Sequence, residues 1–406
     1  MKFDRRSFLA GASASLVASS WSAFADANPN DSANDSASKP LTVAAIGHTG
    51  RGNFGHGLDT VWLHLSETEV IAAADPDKAG LGAELKKLSI DRGFQDYRQM
   101  LAEVRPDIVA VCPRHADQHR DMVVACAQAG VKGIYIEKPF CRTPAEADEM
   151  KAACDEHKVK LAVAHRNRYH PTLEVIDRLI VGGKIGRLLE IRGRGKGDRR
   201  GGAEDLWVLG THVLNLMAYF GGAPTSCSGV LLQDGRRINR HDVKEGAEGL
   251  GPMGGNEVHA RYEMSRGVVG YFDSIANDGT KSAGFGLQLV GSEGLVNIQC
   301  DKHPLAWLCP GNPFEPTTKP RPWIPISTAG IGLPEPRGDL SELVSHHGAP
   351  ARDLVLSIRE DRQPVCNLAE GALTVEMVCA VFESHRLGSQ AVEFPLKERQ
   401  NSLTNL

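Results

Sequence analysis

Short apolar runs alternate with amphipathic stretches between residues 41 and 166. Five runs have the length and composition of buried strands: LTVAAIG (41–47), VIAAAD (70–75), DIVAVCP (107–113), GIYIEKP (133–139) and KLAVAHR (160–166). Helical patterns lie between them, as in KAGLGAELKKL (78–88), HRDMVVACAQAG (119–130) and PAEADEMKAACDEHK (144–158). Strands that alternate with helices in this way predict a doubly wound parallel sheet, and hence an α/β domain over residues 41–166.

The pattern changes after Asn167. Two helical stretches (171–183 and 211–220) flank a strand-like run (187–195), and alternating or β-branched runs joined by Gly, Asn and Asp turns follow. These later runs, from SGVLLQD (228–234) to GLVNIQC (294–300), predict a large and mostly antiparallel sheet. Residues 303–338 are rich in Pro and Gly and predict a long irregular loop. Helices at 350–360 and 368–387 complete a second, α+β domain over residues 167–406.

The first 25 residues have the layout of a secretory signal. Residues 4–10 read DRRSFLA, a weakly apolar stretch follows, and residues 23–25 (AFA) offer an A-x-A cleavage site. Paired arginines before Phe-Leu are typical of twin-arginine signals, whose pathway exports folded proteins. We therefore expect residues 1–25 to be a signal peptide, residues 26–40 to be a flexible linker, and the mature protein to be periplasmic or otherwise extracytoplasmic.

Composition narrows the range of partners. The chain has 406 residues and a formal net charge of −4 without a long basic run, so nucleic acid is not an expected partner. After the signal no apolar run approaches the ~20 residues that span a bilayer, so no membrane contact is expected. The nine cysteines are scattered without a C-x-x-C pair. We expect no disulfide framework and no metal site, with Cys112 and Cys126 as buried small side chains.

The turn after the first strand has the character of a nucleotide-binding loop. It reads Gly47-His48-Thr49-Gly50-Arg51-Gly52, in which Thr49 stands at the middle glycine of G-x-G-x-x-G. Gly47 permits the tight turn, and Gly52 lets the expected next helix pack closely, so that its free N–H groups face a pyrophosphate. The alternative is an ordinary strand-to-helix turn.

Two further strand ends carry candidate functional residues. Asp75 closes the second strand, where a carboxylate accepts hydrogen bonds from the adenosine ribose and repels the extra phosphate of NADP. A turn acid before Pro76 is the alternative. Lys138, in Glu137-Lys138-Pro139, ends the fourth strand at the sheet edge where ligands bind, and the Lys138–Pro139 bond is a candidate for cis. The cofactor prediction is NAD rather than NADP, bound tightly because an exported enzyme has no free nicotinamide pool.

These motifs, taken in order, resemble the Gfo/Idh/MocA family, named for glucose-fructose oxidoreductase and inositol dehydrogenase. The resemblance runs from Leu41 to Leu396 through AAIGHTGRG, Asp75-Pro76-Asp77, VCPRHADQH (111–119), EKP, GKIGRLLEIRG and GTHVLN. It implies a Rossmann domain followed by a domain with an open sheet that forms homo-oligomers, and NAD(P)-dependent redox chemistry on a carbohydrate or polyol. The cofactor-binding residues that it implies are Gly47, Thr49, Gly50, Arg51, Gly52, Asp75, Pro113, His119, Glu137 and Lys138.

The resemblance also implies the catalytic residues. Lys138 matches the family lysine, and His212 matches a histidine that is preceded four residues earlier by an aspartate. That position is Val208 here, so we expect a carboxylate from a shifted place, with Asp205 as the candidate beside Glu204. His212 suits proton transfer near neutral pH.

Several alternatives stay open from the sequence. The same Lys/His set serves glycosidases that cleave by transient oxidation with retained NAD, and a non-catalytic sugar-binding protein on this fold is a third possibility. Trp207 is either a stacking surface for a sugar ring or a core residue. The arginines at 192, 194, 199 and 200 either meet an anionic sugar or belong to a solvated loop.

Overall fold

The computed structural model describes residues 39–406. The predicted signal peptide (1–25) lies outside the described residues, as does the predicted linker (26–40) except for its last two positions. Within the described part of the chain, no helix is both long and apolar enough to cross a bilayer.

A parallel sheet is built from the first part of the chain, as predicted. Its six strands lie in the order β3-β2-β1-β4-β5-β6, and every pairing is parallel. The order of the strands reverses between β1 and β4, and crevices at the carboxyl ends of such strands are where doubly wound folds bind ligands. The strands are β1 Leu41–Ile46, β2 Thr68–Ala74, β3 Gly93–Phe94, β4 Ile108–Val111, β5 Gly133–Ile136 and β6 Lys160–Val163.

Helices follow β2, β3, β4 and β5, but none follows β1. The helices are α1 Lys78–Leu88, α2 Tyr97–Val104, α3 His119–Gln128 and α4 Pro144–His157. The carboxylate of Asp77 caps the start of α1 by accepting a hydrogen bond from the Gly80 N–H group. Between β1 and β2 the chain forms turns over residues 49–60 and a short 3-10 helix at Val61–His64. The helix predicted after the glycine-rich turn is therefore wrong.

The second sheet has eleven strands and is mostly antiparallel, as predicted. Their order is β18-β17-β16-β15-β14-β7-β13-β12-β8-β19, with β9 paired to β8, and only the β7–β13 pairing is parallel. Buried and accessible residues alternate along β12, so one face of the sheet is packed. The strands are β7 Leu188–Arg194, β8 Pro224–Gln233, β9 Arg236–Arg237, β12 Glu257–Met264, β13 Val269–Ile275, β14 Gly286–Gly291, β15 Gly294–Gln299, β16 Ala306–Pro310, β17 Ile324–Ser327, β18 Gly330–Ile331 and β19 Val392–Glu393; β10 Lys244–Glu245 and β11 Pro252–Met253 form a separate ribbon.

The Pro/Gly-rich stretch 303–338 is more regular than predicted. It contains β16, β17 and β18, and β18 forms the edge of the second sheet. Proline lacks an N–H donor and is tolerated near a sheet edge, which explains how Pro310 and Pro325 can lie within strands. Pro/Gly content alone therefore led to the wrong expectation of an irregular loop for this part.

Five helices accompany the second sheet: α5 Thr172–Val181, α6 Ala203–Val208, α7 Gly210–Gly221, α8 Gly348–Arg359 and α9 Leu368–Arg386. The helix α8 adds Ala351, Leu354 and Val355 to the hydrophobic core of the parallel sheet, beside Leu58 and Trp62 from the segment after β1. The core of the first sheet thus includes residues from near the chain end. The boundary predicted at 166/167 stays a prediction.

The cysteines behave as the sequence suggests. All nine are unpaired thiols, and all are buried except Cys309, which is partly exposed. Burial raises the pKa of the Cys126 and Cys112 thiols well above the ordinary value, so both remain protonated small side chains.

Candidate active site

The carboxyl edge of the parallel sheet brings together a lysine and two histidines. Lys138 follows β5, and His165 follows β6 one strand away. His212 comes from the second part of the chain, in the first turn of α7. The structure therefore brings two of the three catalytic candidates from the sequence, Lys138 and His212, to one edge and adds His165 to them.

Lys138 takes a main-chain partner where a carboxylate was expected. Its Nζ atom donates a hydrogen bond to the carbonyl oxygen of Val208, 3.2 Å away. The Lys138–Pro139 bond is cis, as the sequence suggested. Because the acceptor is a backbone oxygen at the end of α6, the absence of an aspartate at position 208 does not leave Lys138 without a partner.

His165 and His212 contact each other edge to face. Their Nδ1 atoms are 3.4 Å apart, and their ring centroids are 5.1 Å apart. Burial and the charge of Lys138 lower the pKa of His165 to about 3, and the same two causes hold the pKa of His212 well below its usual value. Both rings are therefore neutral at physiological pH, and each carries one N–H group.

Glu137 stabilises the loop after β1. Its Oε2 atom accepts the main-chain N–H of Lys138 at 2.7 Å, and its Oε1 atom is paired with His56. Burial raises the pKa of this carboxyl, but the His56 contact and the charge of Lys138 outweigh it and bring the pKa to about 2. Glu137 is thus an ionised anchor with only 1% of its surface exposed, and its predicted cofactor contact stays a prediction.

The glycine-rich turn is folded upon itself. Positive φ angles occur at Gly50, Gly52, Asn53, Gly55 and Gly57, and a right-handed helix cannot contain such residues. This is the physical reason why no helix follows β1.

The glycines of this turn allow close contacts within the chain. A Cβ added to Gly47 would lie 2.3 Å from the ring of Phe54, and one added to Gly52 would lie 2.3 Å from the backbone nitrogen of Arg114. Among the three glycines of the predicted pyrophosphate turn, only Gly50 has open space, with no atom within 4 Å of an added Cβ.

Asp75 holds this turn in place through hydrogen bonds with Thr49 and Asp77. Its Oδ2 atom accepts hydrogen bonds from Thr49 N at 2.9 Å and Thr49 Oγ1 at 2.8 Å, and its Oδ1 atom accepts one from Asp77 N at 2.9 Å. The residue has no exposed surface. Neighbouring donors of the turn are also used internally, since Gly50 N donates to Asn53 Oδ1.

Arg51, Pro113 and His119 also have contacts within the protein. Arg51 forms an ion pair with Asp117 at 2.6 Å. The His119 ring is fully buried, with Nε2 2.6 Å from the carbonyl oxygen of Pro113 and Nδ1 3.0 Å from that of Phe140. The ring therefore ties the loop after β4 to the loop after β5, and its predicted cofactor contact stays a prediction.

Asp205 does not supply the missing carboxylate. It is fully buried, and its Oδ2 atom accepts hydrogen bonds from Ser274 Oγ at 2.6 Å and from Lys196 N at 2.9 Å. These contacts fix the loop after β7, and neither involves Lys138 or His212. The catalytic role predicted for Asp205 therefore has no supporting contact among the described residues and stays a prediction. Trp207 is also fully buried, against Phe382, so it is a core residue rather than a surface for a sugar ring.

Sequence reasoning missed His165 and His56. His165 lies near the end of the last predicted strand (160–166), at the same edge as Lys138, and that position was the available signal. His56 lies ten residues after the end of β1, in a turn that the sequence misassigned to a helix, so no pattern marked its contact with Glu137.

Comparison with known proteins agrees with this architecture. Residues 42–165 match the profile of the GFO_IDH_MocA family, described as an oxidoreductase family with an NAD-binding Rossmann fold. D-apiose dehydrogenase of Paraburkholderia graminis is 34% identical over 31% of this chain and 33% of its own length. Levoglucosan dehydrogenase of Pseudarthrobacter phenanthrenivorans is 27% identical over 57% of this chain and 65% of its own length. The chain thus aligns with less than two thirds of the length of either relative.

Solved structures support the fold over a longer span. A levoglucosan dehydrogenase in complex with NADH superposes with a TM-score of 0.70 and 19% identity, covering 88% of this chain and 100% of that one. An oxidoreductase from Agrobacterium radiobacter, in complex with NAD+, L-tartaric acid and magnesium, superposes with a TM-score of 0.64 and 18% identity. This match covers 87% of this chain and 98% of that one. Residues 42–165 of this chain are therefore similar to the NAD-binding Rossmann domain of the Gfo/Idh/MocA oxidoreductase family.

Proposed function

We propose that the protein is an NAD-dependent oxidoreductase that acts on a carbohydrate or polyol. The observation that carries the proposal is the meeting of Lys138, His165 and His212 at the carboxyl edge of a family Rossmann domain. The two relatives, D-apiose dehydrogenase and levoglucosan dehydrogenase, are named for action on carbohydrates, which supports a carbohydrate substrate.

Lys138 and His212 have the functional groups that oxidation of a carbinol requires. Nicotinamide, when bound, accepts a hydride from a carbinol carbon. The chain must then receive the hydroxyl proton and stabilise the oxygen as its charge develops. Lys138 and His212 are the two groups with polar atoms that can do so, and the burial of His165 and His212 keeps bulk water away from that oxygen.

The turn at residues 47–52 can bind the phosphates of a dinucleotide only after its internal hydrogen bonds rearrange. The Thr49 and Gly50 N–H groups are bonded within the turn, and Asp75 is closed off by Thr49. Gly50 is the open point from which a dinucleotide could contact the turn, and Asp75 becomes available to a ribose once Thr49 releases it. The preference for NAD over NADP depends on that release, because a buried carboxylate bonded to Thr49 contacts no ribose.

The proposal also includes export of the protein and its assembly into a homo-oligomer. The twin-arginine-type signal in residues 1–25 supports export of the folded protein to the periplasm, with NAD already bound. The accessible face of the second sheet, which carries polar residues such as His259 and Arg261 between buried ones, supports a homo-oligomer formed through that face.

The test starts with the purified mature protein. Nucleotide released on denaturation is identified by mass spectrometry, and the native protein is then given a panel of aldoses, polyols, glycosides and uronates while the absorbance of reduced nicotinamide is followed. Bound NAD and net oxidation of one substrate class are the expected results. Release of an aglycone without net redox change would identify a glycosidase instead. A folded protein that neither contains nor binds nucleotide, and is inert on the whole panel, would refute the proposal.

A further inference from the structure

His165 has a relationship to His212 that none of the proposed roles uses. The Nδ1–Nδ1 contact consumes one ring nitrogen of each histidine. His165 is 1% exposed, and its remaining nitrogen, Nε2, is buried without a hydrogen-bond partner among the described residues. His212 keeps 5% of its surface exposed, and its Nε2 atom is not among the buried atoms that lack a partner.

Two arrangements of protons satisfy this contact. Two neutral imidazoles share it only if one Nδ1 carries a proton and the other does not. If His212 donates, then the proton of His165 is on Nε2, where it is a buried N–H group without an acceptor. If His165 donates, its Nε2 atom is a bare nitrogen. Orphaned buried N–H groups are rare in folded proteins, so the second arrangement is favoured.

We propose that His165 is a positioning residue that donates its Nδ1–H to His212 and thereby holds His212 as the tautomer protonated at Nε2. Which nitrogen of a histidine carries the proton is set by the hydrogen bond that the other nitrogen makes. His212 then presents an N–H donor to the site and not a lone pair. His165 takes the orienting place that the sequence left empty at Val208, but it imposes the opposite polarity to that of a carboxylate, which would accept from Nδ1.

The consequence for catalysis rests on the proposed function. A histidine fixed as an Nε2–H donor stabilises the substrate oxygen by hydrogen bonding and does not remove its proton. When a bound dinucleotide takes up the hydride, the O–H bond of the substrate would break, and its proton would pass to Lys138 once that residue had released its own proton to solvent. The oxygen becomes a carbonyl that accepts from His212 Nε2.

The tautomer is read directly by NMR, without substrate. The complete mature protein is labelled with ¹⁵N-histidine, and long-range ¹H–¹⁵N correlations distinguish protonated from bare ring nitrogens; His212→Asn and His165→Asn each remove one set of signals and so assign both rings. The expected result is a protonated Nε2 and a bare Nδ1 on His212. A protonated Nδ1 on His212, or an even mixture of tautomers, would overturn the proposal.

Two substitutions test the positioning role. His165→Phe keeps a ring but no donor, and we expect His212 to become a mixture of tautomers. His165→Asn offers an amide N–H and is expected to restore the Nε2–H form in part. Thermal unfolding checks that both variants fold, and if neither does, the signals of the wild-type protein still decide the tautomer.

Measurements of enzyme activity distinguish failure of the positioning role of His165 from failure of the proposed function. On a substrate that the wild type oxidises, His165→Phe is expected to lower kcat about 10–100-fold with little change in KM, as removal of an outer partner does at other histidine sites. His165→Asn should recover part of that loss. Unchanged kcat in His165→Phe would contradict the positioning role. A wild type that neither binds nucleotide nor oxidises anything on the panel would refute the proposed function and leave the assignment of the tautomer standing.

Discussion

The Nζ atom of Lys138 donates to the main-chain oxygen of Val208 across 3.2 Å, four residues before His212. One backbone carbonyl therefore connects the lysine at the end of β5 with the start of α7. Because the acceptor belongs to the main chain, the contact does not depend on the side chain at position 208. A protonated Lys138 keeps two further donors for a substrate oxygen.

Lys138→Ala should reduce turnover far more than cofactor affinity. The lysine lies at the reacting end, whereas the turn at residues 47–52 lies at another strand end, so we expect kcat to fall ~10²–10⁴-fold. The Kd for NAD should change by less than about tenfold, or ~1.4 kcal/mol. Single-turnover reduction of NAD and calorimetric titration measure the two quantities.

The matched control for that substitution is Lys151→Ala. Lys151 forms a surface ion pair with Asp155 within α4, and such a pair contributes little. Its variant should behave as the wild type. Near-normal turnover in Lys138→Ala, on a substrate that the wild type uses, would remove Lys138 from the mechanism.

Asp75→Ala should destabilise the protein even in the absence of nucleotide. The carboxylate accepts from Thr49 N, Thr49 Oγ1 and Asp77 N, and its removal takes away the acceptor of these three hydrogen bonds. Hydrogen bonds to a charged group contribute about 1.5–3 kcal/mol, so the free energy of unfolding in urea should fall by about that amount. Asp91→Ala, at an exposed position, is the control. Equal stabilities would mean that Asp75 does not hold the turn.

The sequence predicted the regular elements well because their signals are local. Apolar runs of strand length and amphipathic stretches identified β1, β4, β5 and the helices α3 and α4 within a few residues. The residues that each element presents at its end, such as Lys138 after β5, followed from the same pattern. These parts of the fold depend on neighbours along the chain, which a sequence displays.

The turn after β1 and the contact between the histidines could not be predicted in the same way. A glycine is compatible with both positive and negative φ, so the letters GHTGRGNFGHG do not reveal that five residues adopt positive φ. The role of Asp75 depends on that conformation, because Thr49 reaches it only when the turn folds back. His165 and His212 are 47 residues apart, and no local period joins them.

Binding of NAD should alter the turn at residues 47–60. Amide exchange is measured by mass spectrometry with and without NAD. Because Thr49 N and Gly50 N are bonded to Asp75 and Asn53, a dinucleotide that contacts the turn must exchange these partners. We expect changed protection at residues 49–53 and unchanged protection in β15. Bound nucleotide with no change in the turn would mean that the dinucleotide binds without using the glycine-rich segment.

Glu84 should make the stability depend on pH in the neutral range. Burial, followed by a hydrogen bond with Asp59, raises its pKa from the ordinary 4.5 to about 8, although Lys87 opposes the shift. A carboxyl whose pKa is raised by folding favours the native state while it is protonated. Its contribution is therefore complete below pH 4.5 and is lost as the pH rises through about 8.

The substitution Glu84→Gln tests the predicted loss of stability with rising pH. The amide cannot ionise, so the free energy of unfolding of the variant should decline less between pH 4.5 and about 8 than that of the wild type, and the two curves should diverge steadily across that interval. Urea unfolding at a series of pH values measures both curves. Glu156→Gln, at an exposed position in α4, is the control and should run parallel to the wild type because its carboxyl is not buried. Parallel curves for Glu84→Gln and the wild type would show that Glu84 ionises normally. Lys87 would then be sufficient to neutralise the buried carboxylates of Asp59 and Glu84.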